Sequence, residues 1–371
     1  MEYKLEKDYG VRSYQPGDEE KIIRLLDLVF GGWPKFDLSC SPLEHWRWKY
    51  QSNPFSRMNQ IAVGVGNGLI TGCDHSLLLR IKIGKGIFFS THGGDVAVHP
   101  SFRKMAISKK MVELNTKMGQ EAGAILRYFV TQNPIRIKSL SKLSQRFPYI
   151  VMSSFRIHDV DLHLRKIPIK YALMKKYGYR LVKFSNRLSN VFTFFNPSSY
   201  DFHIQEITTF DERMNVFWEG IKDHYNFIVE RSRDYLNWRY CDSRGGDYLV
   251  KIAKANGKIL GYIVLRMNRL QKDYPIGYIV DLLTLPDRLD VAEALVADAV
   301  NYFVNKSINL IYCLFIKNHP YEAIFERNGF VTRGEKIPIF YIEYTKVEEL
   351  RELETGSPKG IHFAYGDFDA I

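Results

Sequence analysis

Two stretches of this 371-residue chain repeat the same order of turns, strand stops and helix starts, and that repetition limits the fold more than any single motif. Asn67-Gly68 stands between the apolar runs IAVGV and LITG, and Asn256-Gly257 between YLVKIA and KILGYIVL. Asn-Gly flanked by apolar runs predicts a type I′ hairpin, because that turn needs positive φ at both central residues. Asp95-Val-Ala-Val-His-Pro100 is matched by Asp281-Leu-Leu-Thr-Leu-Pro286, each a buried strand stopped by proline. Asn133-Pro134 and Asn318-His319-Pro320 each close an apolar strand and open a helical pattern, and Trp48-Lys49-Tyr50 has a counterpart in Trp238-Arg239-Tyr240. The offsets drift between about 183 and 190 residues, as loop insertions would make them. Two copies of one unit are expected, over residues 1–165 and 202–371.

Within each copy the elements keep one order. A short strand (VRSYQ; HIQEI) comes first, then a helix. In the first copy Pro16-Gly17-Asp18 predicts the cap of a helix whose Ile22, Ile23, Leu25, Leu26, Val29 and Phe30 share a face. The hairpin and a strand ending at Pro100 follow, then a helix with Ile107, Met111, Leu114 and Met118 on one side, then a further strand and helix. Early strands with later crossover helices predict a mixed sheet covered by helices, of α/β to α+β class, present twice in tandem. Residues 166–201 read as a connector. From His163 through Tyr200 there is no Asp or Glu, which suits either a solvated linker or a basic ridge that meets phosphate.

Composition removes several classes of function. With 46% hydrophobic and 14% aromatic residues the chain can build a packed core, so disorder is not its main state. Cys40, Cys73, Cys241 and Cys313 are far apart and form no C-x-x-C, and His158 and His163 do not share a helical face; neither a disulfide framework nor a metal site is expected. MEYKLEKDYGV is charged without an apolar core, and no run approaches the ~18 apolar residues of a membrane span, so a soluble, cytoplasmic protein is expected. Lys and Arg number 52 against 41 Asp and Glu, a net +11, which favours an anionic partner: a phosphorylated cofactor, nucleic acid or a lipid surface.

The stretch that carries chemistry is GGDVAVHPSFRKMAISKKMVELNTKM, from Gly93 to Met118. A hydrophobic strand stops at Pro100, a loop bears Arg103 and Lys104, and small residues Ala106 and Ser108 open a helix. The first backbone N–H groups of a helix lack internal partners and sit at the positive end of its dipole, so this corner is suited to an anion. These residues resemble motif A of the GNAT superfamily of acyl-CoA-dependent N-acyltransferases, whose strand V-x-V-x-P leads to R/Q-x-x-G-x-G/A. The matching positions here are Val96, Val98 and Pro100, then Arg103, Lys104, Met105, Ala106, Ile107 and Ser108, with Ala106 and Ser108 replacing both glycines. Motif B is similar in outline at Asn133 and ends at Phe147, and at Asn318 and ends at Phe330.

The resemblance implies a GNAT fold in tandem and an N-acetyltransferase that moves an acyl group from acetyl-CoA to an amine by direct attack. It implies coenzyme A held by Val96, Ala97 and Val98, by Arg103 to Ser108 and by Asn133, with the oxyanion donor near Val98. In the second copy Asp287 and Asp290 stand where a pyrophosphate would lie, so that copy is expected not to bind coenzyme A. The motif-B tyrosine of the family is absent, its places being taken by Lys142 and Phe325. Asp95, with His92 and His99 nearby, is one candidate base. The tail IHFAYGDFDAI offers another, since related tandem enzymes place the chain's own terminus in the active site, and Asp367, Asp369 or the Ile371 carboxylate is expected near the first cleft. Two other readings remain: an aminoacyl-tRNA-dependent ligase of the FemABX kind, and a non-catalytic CoA-binding module. Trp33, Trp46, Trp48, Tyr225, Trp238 and Tyr240 are expected to be core before acceptor pocket.

Overall fold

A computed structural model provides the structure and describes residues 9–56, 60–103, 105–166, 200–270, 272–353 and 356–368. The basic connector falls mostly in 167–199, outside the described residues. Along the chain come β1 (Tyr9–Ser13), α1 (Glu19–Phe30), α2 (Pro42–Gln51), β2 (Ile61–Gly66), β3 (Leu69–Ile83), β4 (Gly86–Val98), α3 (Ile107–Glu121), β5 (Ala124–Val130), α4 (Pro134–Leu143) and β6 (Gln145–Arg146). There follow β7 (Val151–Ile157), α5 (Val160–Lys166), β8 (His203–Ile207), α6 (Arg213–Ile221), β9 (Phe227–Val229), α7 (Arg233–Leu236), β10 (Tyr248–Ala255), β11 (Lys258–Asn268) and β12 (Ile276–Thr284). The last elements are α8 (Leu289–Asn305), β13 (Leu310–Ile316), α9 (Tyr321–Arg327), β14 (Val331–Ile337), β15 (Ile339–Glu343) and α10 (Glu348–Glu352).

The chain divides into two compact units, and neither is an uninterrupted stretch. Unit 1 comprises Met1–Phe147 with Pro338–Glu352, and unit 2 comprises Pro148–Ile337 with Leu353–Ile371. The divisions expected at residues 165 and 202 are therefore not where the compact units part. In unit 1 the strands run β1-β2-β3-β4-β5-β15-β6, and in unit 2 they run β8-β10-β11-β12-β13-β7-β14. Each is a mixed sheet: β4–β5 and β12–β13 are parallel, and the other ladders in these two runs are antiparallel. The place beside β5 is taken by β15, from late in the chain, while β7, which follows β6, takes the matching place beside β13.

The hairpins form as the Asn-Gly pairs require, with φ of 52° and 75° at Asn67 and Gly68 and of 48° and 76° at Asn256 and Gly257. In unit 1, α1, α2 and the loop between them bury Ile22, Leu26, Trp33, Trp46 and Tyr50 against one face of the sheet, while α3 buries Ile107, Met111 and Met118 against Ala62 and Phe102. All six aromatics expected to be core are buried. The cap expected of Asp18 is absent, because its carboxylate binds the Arg12 guanidinium at 2.6 and 2.9 Å and the Gln15 N–H at 2.9 Å instead.

Candidate active site

In unit 1, β4 leaves β5 partway along its length. The parallel ladder runs Phe89↔Ala124, Thr91↔Arg127 and His92↔Tyr128, yet β4 continues to Val98 and β5 to Val130. From Gly94 to Val98 the edge of β4 that faced β5 is therefore open among the described residues. On its other side β4 stays paired with β3, but with a bulge: His75 faces Gly94 and Cys73 faces Ala97, so Asp95 and Val96 both stand opposite Asp74. Asp95 has φ of 44°, in the left-handed region that an aspartate occupies at a cost.

A web of donors fixes that conformation. The Asp95 carboxylate accepts from the Trp33 indole at 2.8 Å, the Lys49 ammonium at 2.7 Å and the Tyr50 hydroxyl at 2.6 Å. Its backbone carbonyl accepts from His75 Nδ1 at 2.9 Å; the indole of Trp46 donates to His75 Nε2 at 3.1 Å, which makes Nδ1 the protonated nitrogen. Burial pushes the Asp95 carboxyl up, but the Lys49 charge and the Lys49 and Tyr50 hydrogen bonds outweigh it and hold the group well below the usual carboxylate range. Burial lowers the His75 pKa. Expected as a general base, Asp95 is instead an anchored anion: its lone pairs are engaged and it has little tendency to take a proton.

The start of α3 leaves its first backbone amides uncapped. Ala106 occupies the N-cap with φ of 56°, so the glycine-like turn is kept by an alanine in a left-handed conformation. No side chain caps the helix and no acid lies in its first turn. The first intrahelical bond runs from Lys110 N–H to Ala106, and the amides of Ile107, Ser108 and Lys109 have no partner among the described residues. Arg103 is exposed on the loop, its Nε 3.4 Å from the Val98 carbonyl, and Met105 is half-buried; Lys104 lies outside the described residues. His99 Nδ1 accepts from Ser101 N–H at 3.3 Å. Asn133 lies at the start of α4, where its side-chain oxygen accepts from Arg136 N–H at 3.3 Å and its carbonyl from Ile137 N–H at 2.9 Å.

Unit 2 has a counterpart with different fittings. There β12 and β13 pair from Ile276↔Leu310 to Tyr278↔Tyr312 and no further, and Asp281 follows a bulge at the place of Asp95. Its carboxylate accepts from Tyr262, Tyr240 and Arg231 at 2.8, 3.1 and 2.9 Å and lies 3.0 Å from His362 Nε2. Here too burial is outweighed, by the Arg231 charge and the His362 hydrogen bond, and the carboxyl is held well below its usual range. Tyr50 and Tyr240, matched in the repeat, thus clamp matched acids. The tail fills the gap between the parted strands: Ile361 to Ala364 line, with Asp281, His319 and Tyr321, a residual cavity of about 20 Å³. That leaves room for roughly one water.

Asp367 is not free to act as a base. Arg231, fully buried, reaches it at 2.6 Å while holding Asp281, and Ala364 N–H donates to it at 2.8 Å. It is an internal ion-pair partner within unit 2; Asp369 and Ile371 lie outside the described residues. At the start of α8, Arg288 binds Asp290 at 2.8 Å and Asp201 at 2.6 Å, and Asp290 places a carboxylate in the first turn of the helix. The first turn that carries no acid in unit 1 thus carries one of the chain's own carboxylates in unit 2. Sequence reasoning missed Lys49, Arg231 and Arg136. The first carried a signal, since both copies set a cation before the tyrosine and an acid at the strand end; the other two carried none.

The sequence profile described as the Acetyltransferase (GNAT) family matches residues 213–330, within unit 2. No curated protein matches the chain by sequence. Among solved structures it is similar to a probable N-acyltransferase from Enterococcus faecalis V583, at 12% identity and a TM-score of 0.60, over 94% of this chain and 74% of that one. It is also similar to a GCN5-related N-acetyltransferase from Anabaena variabilis ATCC 29413, at 10% identity and TM-score 0.58, over 91% of this chain and 73% of that one. A third likeness is to Saccharomyces cerevisiae N-myristoyltransferase with bound myristoyl-CoA and inhibitors, at 11% identity and TM-score 0.62, over 96% and 86%. At such identities the likeness is one of fold. A match to the GNAT acetyltransferase family thus covers residues 213–330, and over nearly its whole length the chain is similar in fold to these N-acyltransferase structures.

Proposed function

We propose that this protein is an acyl-CoA-dependent N-acyltransferase in which unit 1 takes the acyl-CoA, acetyl-CoA by preference, and an amine is the acceptor. The observation that carries the reading is the start of α3: a left-handed turn, three amides without a partner among the described residues and no acid in the first turn, beside a strand whose edge is open. In this reading the amides of Ile107, Ser108 and Lys109 hold the diphosphate with Arg103, and Lys104 adds a second cation. The coenzyme's arm then runs along Val96, Ala97 and Val98, with Asn133 at the far wall. An open N–H near Val98 receives the thioester oxygen as it gains charge. Asp95 serves by fixing the bulge that exposes this edge. An amine with a pKa near 10.4 must lose its proton before attack.

Unit 2 does not share this task. Asp290 supplies the negative charge at its helix start, and the tail occupies its gap. The test is release of free thiol from acyl-CoAs of increasing chain length, offered with a panel of amines. Turnover with acetyl-CoA, falling as the acyl chain lengthens, is expected. Absence of thiol release from every acyl-CoA, with no thermal stabilisation by coenzyme A, would overturn the reading.

A further inference from the structure

The Arg136 guanidinium lies where β4 and β5 separate. Its Cζ is 5.7 Å from the centre of the Phe129 ring, and the Arg127 guanidinium lies over the same ring at 4.8 Å. That ring and Arg127 rest against Gly93, the residue just past the last β4–β5 pair. A Cβ at Gly93 would come within 2.5 Å of the Phe129 ring and 2.8 Å of Arg127 Nε. Arg127 is neutralised by Asp74, at 2.6 and 3.2 Å. Arg136 is not. Its Nη2 is buried with no hydrogen-bond partner among the described residues. Buried polar groups almost always have partners, and a cation left without one is costly, so such a donor beside a parted pair of strands points to a ligand.

The motif-B tyrosine that would attend the leaving sulfur is absent, and Lys142, at its place, is exposed in the last turn of α4. Arg136, in the first turn of the same helix, has a donor to give. We propose that Arg136 Nη2 donates a hydrogen bond to the sulfur of the departing coenzyme A thiolate, an inference that rests on unit 1 being the acyl-CoA site. The acceptor nitrogen bonds to the acyl carbon, the carbon–sulfur bond breaks, and its electron pair passes to sulfur. The nitrogen's proton goes to the base or to water. Arg136 keeps its own proton throughout and stabilises the thiolate by charge and hydrogen bond.

The test reads the thiol of bound coenzyme A directly, by titrating its thiolate absorbance in the complex. In the wild type it should titrate below the ~8.5 of a free thiol, because a neighbouring cation favours the thiolate. In Arg136→Met it should return toward that value, with Arg136→Lys between. With acetyl-CoA, Arg136→Met should lower kcat by about 10²-fold, as loss of a charge-stabilising donor does, and change KM little. With an S-aryl thioester of the same acyl group, whose thiol leaves readily, the loss should be much smaller. Coenzyme A binding with the same thiol titration in wild type and Arg136→Met, or equal losses with both donors, would overturn the inference alone. No binding of coenzyme A to the wild type would remove the functional reading and this inference with it.

Discussion

Asp95 and Asp281 stand at matched strand ends, and each is clamped by a tyrosine and a cation rather than left to titrate. Their identity as a pair was legible in the sequence, but their role was not, because the donors that hold them come from elements distant in the chain. Buried histidines show the same logic in reverse. Burial, with the His362 charge, brings His319 down to about 3, so the folded state keeps it neutral where the unfolded chain, near 6.5, is protonated. The unfolded state therefore binds the extra proton between those values. Stability is complete above pH ~6.5 and falls on acidification, by up to about 1.4 kcal/mol per pH unit for this group. Urea denaturation of His319→Asn from pH 7 to 4 should show a flatter decline than wild type, and parallel curves would contradict the assignment.

Among elements, the start of α3 was the most legible: proline stop, basic loop, small residues and helical spacing all fell where the sequence put them. What the sequence left open was whether an alanine could take the glycine-like turn. It does, at φ of 56°, and the strain belongs to that one residue. Ala106→Gly should therefore stabilise the protein by about 1 kcal/mol, read as a higher urea midpoint, since relief of the left-handed cost exceeds the added freedom of the unfolded chain. A lower midpoint would mean that Ala106 makes contacts worth more than its strain. The exchange of β7 and β15 was not legible at all. VMSSFRI and IFYIE are both short apolar runs compatible with either sheet, and pairing between such runs is decided by tertiary packing.

For the whole molecule, one topology serves two units with different ends. Unit 1 keeps an open strand edge and a bare helix start, while unit 2 closes both with its own tail and with Asp290. The repeat, the mixed sheets and the difference between the helix starts could be read from 371 letters, because turn chemistry and charge are local. The tail's seat could not, because it depends on Arg231 meeting Asp281 and Asp367 across the fold. The central claim is that coenzyme A binds at the start of α3, and calorimetry with Ser108→Asp tests it most directly. An acid at that position favours the helix dipole, so the fold should hold, but it repels a diphosphate. Coenzyme A should bind the wild type and Asp290→Ser alike and bind Ser108→Asp at least about tenfold more weakly. Equal heats for wild type and Ser108→Asp would place the coenzyme elsewhere and contradict the account.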